Sequence, residues 1–192
     1  MVISLSKGEK ISLSDMTANL QHIQIGVGWD PVLPEGLLGR LTGPKDVDLD
    51  VSVLLFNHNK ERIGMVYFGN LKSSDGAIVH LGDNISGDGR GDDEVITIDL
   101  ERLDAGVDTL LFCVNSYQGH TFDEVDNAFW RVVDADTGNE LCRFTLNDTG
   151  PHTAVLMATL SRHNGHWQIH ALGVSSVGRT ADQLVPDAMR HI

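Results

Sequence analysis

Ala77-Ile78-Val79-His80-Leu81-Gly82-Asp83-Asn84-Ile85-Ser86-Gly87-Asp88-Gly89-Arg90-Gly91-Asp92-Asp93-Glu94-Val95-Ile96-Thr97-Ile98-Asp99-Leu100 is the stretch on which the fold turns. Its two ends are short, apolar and rich in β-branched residues, which reads as strand on either side. Its middle, Gly82 to Glu94, is a turn region with five carboxylates, four glycines and one cation, Arg90. A loop joining two strands lies at one end of a sheet. Carboxylates this close repel one another by about a kcal/mol per pair in water, and more if partly buried. The glycines allow backbone angles that a merely solvated loop would not need. A hard divalent cation among the acids is therefore expected, since calcium takes carboxylate, amide and carbonyl oxygens.

Outward from this stretch the pattern stays short and mostly of period two. Glu9–Ser14 and His22–Val27 alternate polar and apolar residues, as half-buried strands do. Gly26-Val27-Gly28-Trp29-Asp30 places two glycines beside a tryptophan, which predicts backbone packed closely against a large ring. Residues 31–46 form a Pro- and Gly-rich connection in which Leu37, Leu38 and Leu41 could make a helical turn. In Asp46–Asn57, strand geometry puts Asp48, Asp50 and Ser52 on one face, at spacings of roughly 7 Å. Further strands are expected at Met65–Phe68, Thr109–Val114, Asn127–Val133, Glu140–Leu146, Thr153–Leu160 and His166–Leu172. Asn164-Gly165 favours a tight hairpin turn between the last two. Thr180 is a candidate N-cap for one short helix, with Asp182 and Gln183 in its first turn. About ten short strands and almost no other helix predict an all-β, antiparallel β-sandwich with long loops and a short C-terminal helix.

The chain has 192 residues, is 41% hydrophobic, and carries a formal net charge of -13. That charge disfavours direct nucleic-acid binding, which needs a basic face. Two bound calcium ions would bring -13 to about -9. The N-terminus lacks the basic and apolar regions of a secretory signal, and no apolar run is long enough to span a membrane. A soluble, cytoplasmic protein is the expectation. Cys113 and Cys142 lie in strand-like runs and read as buried thiols of a reducing compartment, with a single bridge between them left open.

Asp83 and Glu94 match the first and twelfth positions of a helix–loop–helix calcium motif, but Ile85 and Gly87 stand where side-chain ligands belong, and strands flank the loop. A site here must borrow ligands from elsewhere, and Asp48, Asp50 and Asp30 are the natural lenders. So many carboxylates exceed the charge of one ion, which points to two adjacent ions; ligand type alone also admits magnesium or manganese. His166 and His170 are four apart on a strand, about 13–14 Å, too far for a shared ion. No nucleophile elbow, phosphate loop or dinucleotide fingerprint is present.

These landmarks resemble the tellurium-resistance TerD family of bacterial proteins. The matching segments are Ser4–Gly8, Gly26–Asp30, Asp48–Ser52, Leu71–Gly76, the acidic loop, Phe122–Phe129 and His163–Trp167. Gly36–Arg40 and Gly178–Thr180 are similar to the family's TerZ branch. The resemblance spans nearly the whole chain and implies one β-sandwich domain over residues 1–192. It implies calcium binding in loops at one end, no catalytic activity, and a role in stress responses that include tellurite resistance. It further implies partners among other proteins of that system, at the inner face of the membrane. By match, the ligands are Asp83, Asn84, Asp88, Asp92, Asp93 and Glu94, with Asp48 and Asp50, and Asp30 next. Arg90 departs from the family's usual acid, and Asp88 from its usual glutamate. Two other function classes stay open on the same carboxylates: a metal-dependent hydrolase or phosphate-handling enzyme, and a calcium-dependent membrane-surface module.

Overall fold

The computed structural model describes residues 2–17, 20–32, 47–82 and 91–192. Leu37, Leu38 and Leu41, and the loop residues Asp83, Asn84, Asp88 and Arg90, lie outside the described residues.

Twelve strands form two six-stranded sheets among the described residues. In chain order they are β1 Ile3–Leu5, β2 Lys10–Ser12, β3 His22–Pro31, β4 Asp50–Phe56, β5 Arg62–Val66 and β6 Ile78–His80. They continue with β7 Glu94–Asp99, β8 Thr109–Asn115, β9 Val125–Asp134, β10 Glu140–Thr145, β11 Ala154–His163 and β12 His166–Ser176. An α-helix, α1 (Ala181–Ala188), follows with Thr180 as its N-cap residue. The first sheet runs β1-β10-β9-β3-β7-β6 and the second β2-β12-β11-β8-β4-β5. Every pair is antiparallel except β1 with β10.

Period-two alternation decides which side chains meet. Ile23, Ile25 and Val27 of β3, Ile96 and Ile98 of β7, and Trp130 and Val132 of β9 face Val51 and Val53 of β4 and Leu110, Phe112 and Val114 of β8. The Phe112 and Trp130 rings meet across the two sheets at 5.6 Å between centroids.

The Asp48–Ser52 segment behaves differently from a solvated edge. β4 lies between β8 and β5, and Asp50 and Ser52 are buried. Their face continues into Leu54 and Phe56, which join Leu111, Cys113 and Leu156 beneath Ala181, Leu184 and Ala188 of α1. The helix thus makes a partial third layer, and that explains why β4 and β8 read as nearly unbroken apolar runs.

β1 has too few residues to show a period, and only its parallel pairing with β10 reveals it. The sequence left a Cys113–Cys142 bridge open; the structure places the two on different sheets, in different apolar clusters, both as free thiols. Burial pushes each thiol up to about 12, so almost no thiolate exists at neutral pH. A thiol-specific reagent should therefore label neither cysteine in the native chain and both after denaturation, read by mass spectrometry.

Candidate metal centre

The far end of the sandwich, where β3 stops, β4 starts and β7 begins, gathers most of the described candidate acids. Trp29 anchors it. Its ring is buried, and Nε1 donates to the Val47 carbonyl at 2.9 Å, fixing the approach to β4. Its backbone N–H donates to Asp93 Oδ2 at 2.8 Å, while the Asp93 N–H donates to the Val27 carbonyl at 2.8 Å. Asp93 is therefore fastened to β3 at two points.

Glu94, only 1% exposed, opens β7 opposite Val27. Its Oε2 accepts the Val51 N–H at 2.7 Å, a contact from one sheet to the other. His80 Nε2 stands 3.4 Å from the same oxygen. His80 Nδ1 accepts from the Gly82 N–H at 3.2 Å, and its buried Nε2 has no hydrogen-bond partner among the described residues.

Asp48 and Asp50 come from the second sheet. Asp48 Oδ2 accepts from Gln118 Nε2 at 2.9 Å. Asp48 Oδ1 is buried and has no hydrogen-bond partner among the described residues. Asp50 is almost fully buried; its Oδ2 accepts the Tyr117 N–H at 3.3 Å, with Asn115 Nδ2 at 3.5 Å. Asn115 Nδ2 donates to the Arg179 carbonyl at 2.9 Å, and Asn115 Oδ1 is a second buried oxygen with no partner among the described residues.

Asp92 is engaged differently. Its two oxygens take a fork from Arg131, Nε at 2.7 Å and Nη2 at 2.9 Å. Arg131 Nη1 reaches Glu140 at 2.7 Å, Arg143 Nε and Nη2 hold Glu140 at 2.8 and 2.9 Å, and the Arg143 guanidinium lies 4.1 Å over the Phe129 ring. The register explains the row, since Gly26 pairs with Arg131 and Arg131 with Arg143. The glycines of β3 make room for it. A Cβ on Gly26 would lie 2.3 Å from the Asp92 carboxylate, and one on Gly28 would lie 2.5 Å from the Phe129 ring. The close ring expected here is thus that of Phe129 over Gly28, while Gly26 meets the Asp92 carboxylate instead. The hydrogen bonds from Asp92 and then Glu140 hold the Arg131 guanidinium above its ordinary value. Those from Arg143 and then Arg131 hold the Glu140 carboxyl below its own.

Asp30 is exposed and accepts from Asn127 Nδ2 at 2.8 Å. It lines a cleft of about 490 Å³ with Trp29, Gly91, Asn127, Phe129, Arg143 and Thr145. Among the described residues no three of His, Cys, Asp and Glu converge on one metal position. The structure thus brings Asp93 and Glu94 onto β3 and β4, Asp48 and Asp50 against the 115–118 segment, and Asp92 onto β9. Asp83, Asn84 and Asp88 fall outside the described residues. His163 and His166 flank the Asn164-Gly165 turn at the opposite end of the sandwich, with His170 further along β12.

Sequence reading missed His80, Asn115, Gln118, Arg131, Glu140 and Arg143. Alternation along β9 could have put Phe129 and Arg131 on one outward face, but only the register brings Glu140, Arg143 and Asp92 to them.

A family model described as the TerD domain matches residues 1–184. The chain belongs to the TerD family. It is 46% identical over 192 residues to a tellurium resistance protein, TerZ, of Serratia marcescens, covering 100% of this chain and 99% of that protein. It is 40% identical over 185 residues to the stress response protein SCP2 of Bacillus subtilis, covering 90% and 92%. A solved homologue of telluride resistance protein TerD from Streptomyces coelicolor shares the fold with a TM-score of 0.69 at 21% identity, over 87% of this chain and 96% of that one.

Two outcomes follow for this TerD-family chain. Glu94→Ala leaves the Val51 N–H without its acceptor and should cost about 1–3 kcal/mol of stability, with Glu94→Gln costing less; urea unfolding in chelator measures both. Glu140 has a folded value below the ordinary 4.5, so its contribution is present above that value and lost as pH falls through the lowered one. The stability gap between the parent and Glu140→Gln should be open at neutral pH and close in acid below pH 4.5.

Proposed function

We propose that this chain is a calcium-binding, non-enzymatic stress-response protein associated with tellurite resistance, acting by metal-dependent docking to partner proteins. The names of its relatives support the physiological half, with a tellurium resistance protein in Serratia marcescens and a stress response protein in Bacillus subtilis.

The observation that carries the metal half is Asp48 Oδ1, a buried carboxylate oxygen with no donor among the described residues. Such an oxygen costs folding free energy unless something positive meets it. Asp50 lies two residues on, almost fully buried. The acidic loop is delivered to the same end of the sandwich, because Glu94 is tied to Val51. All these donors are oxygens, the set a hard cation takes. Asp48 and Asp50 would hold it from the second sheet and Asp93 from the first, and the loop residues Asp83, Asn84 and Asp88 are the further ligands proposed.

Bound calcium supplies the positive charge that lets these acids sit together. The chain's own residues do the rest. Trp29 pins the start of β4 and the Asp93 carboxylate, and Glu94 ties the start of β7 to β4 across the two sheets. Docking then depends on the ordered loop, which is the usual logic of a charge-driven switch.

A second reading, docking onto a membrane surface, is favoured by one observation. Phe68, Leu81 and Tyr117 are exposed at this same end, and the Phe68 and Tyr117 rings touch edge to face at 6.3 Å. Sedimentation with anionic liposomes in calcium separates the two readings.

Calcium at a hundred times its dissociation constant should stabilise the chain by about 2.7 kcal/mol, seen as a raised melting temperature that chelator abolishes. Asp48→Asn and Asp93→Asn should each weaken binding at least about tenfold, a loss of roughly 1.4 kcal/mol, while Asp136→Asn in the distant β9–β10 turn should not. No calcium heat and no melting shift would overturn the proposal.

A further inference from the structure

We infer that Arg131 is a positioning residue for this metal centre, and that Asp92 is the handle it grips rather than a ligand; the inference rests on the calcium reading above. Three observations converge on it. Both Asp92 oxygens are taken by the two-pronged face of one guanidinium, at 2.7 and 2.9 Å, with the Asp92 side chain only 6% exposed. A planar fork on a planar carboxylate fixes orientation as well as distance. Arg131 cannot swing, because Glu140 holds its third nitrogen at 2.7 Å, and Arg143 holds Glu140 from the other side. The strand beneath has given up a side chain for this contact, since a Cβ on Gly26 would lie 2.3 Å from the Asp92 carboxyl carbon and oxygens.

The consequence lies one residue on. Asp93 follows Asp92 directly, and its N–H and Oδ2 are bound to Val27 and Trp29. With Asp92 clamped to β9 and Asp93 to β3, the C-terminal leg of the acidic loop enters β7 in one fixed orientation. Arg131 also neutralises Asp92 on the outer face of the first sheet. A cation taking Asp92 would have to displace a bidentate partner from a nearly buried carboxylate.

The test is a double-mutant cycle on the full chain. It uses terbium luminescence sensitised by tryptophan, with competition by calcium, across the parent, Arg131→Gln, Asp92→Asn and the pair. Amide exchange at Asp93 is followed in chelator. A clamp predicts that each single change weakens calcium about tenfold and that the pair is no weaker than either alone. It also predicts partial recovery in Arg131→Lys and faster Asp93 exchange in Arg131→Gln without metal. If Asp92 is a ligand, Arg131→Gln leaves binding unchanged or tightens it while Asp92→Asn abolishes it, and the inference is overturned. Should Arg131→Gln fail to fold, Arg131→Lys carries the same comparison: binding as tight as the parent's, with the parent's exchange at Asp93, overturns the clamp. Absence of terbium and calcium binding by the parent would overturn the calcium reading instead. The exchange arm then still decides the clamp, because unchanged Asp93 protection in Arg131→Gln refutes it.

Discussion

Glu94 stands at a position where alternation along β7 calls for an apolar side chain, in line with Ile96 and Ile98. A carboxylate buried there needs partners of its own. It has the Val51 N–H, at a point on β4 beyond the last residue paired with β5, and a buried His80 ring whose Nε2 stands 3.4 Å away. The contact ties the two sheets together at the end where the acidic loop enters. Without it, the start of β7 would lose its tie to β4, and the buried Val51 N–H would be left without its acceptor. Val51 is flanked by Asp50, and Glu94 by Asp93. The tie that holds the sandwich at this end therefore also sets how far the acids of one sheet stand from those of the other.

Around that tie the chain divides its negative charge by surroundings. Asp92 is neutralised by Arg131 on the outer face. Asp93 is turned onto the Trp29 backbone. Asp30 stays in solvent beside Asn127. Asp48 keeps one buried oxygen with no donor among the described residues. Carboxylates in one short region thus have four different environments, and environment rather than residue type separates a candidate ligand from a structural acid. The surplus at Asp48 argues for a bound cation; the saturation at Asp92 argues for a scaffold.

Much of the architecture was legible in the sequence because it rests on local period. Alternation in His22–Val27 and Val95–Leu100, the Asn164-Gly165 turn and the Thr180 helix start all carry their signal within a few residues. Of the candidate acids, Asp48, Asp50, Asp93 and Glu94 lie at one end of the sandwich, because the strand ends that carry them share that end by topology. What stayed hidden depends on register and layering. The Arg131–Glu140–Arg143 row joins strands far apart in sequence, and no single strand announces it. The polar face of Asp50 and Ser52 looks solvent-facing in isolation, and only α1 packing on Leu54, Phe56 and Leu111 shows that it is covered.

The central claim is that the oxygen surplus at Asp48 belongs to a metal centre completed by the acidic loop. It is tested most directly by a crystal structure of the full chain grown with calcium, with anomalous scattering used to locate the ion. The account predicts an anomalous peak about 2.3–2.6 Å from Asp48 Oδ1, with Asp92 still in the Arg131 fork. An Asp48 Oδ1 bound only to water, with no anomalous peak at this end of the sandwich, would contradict it.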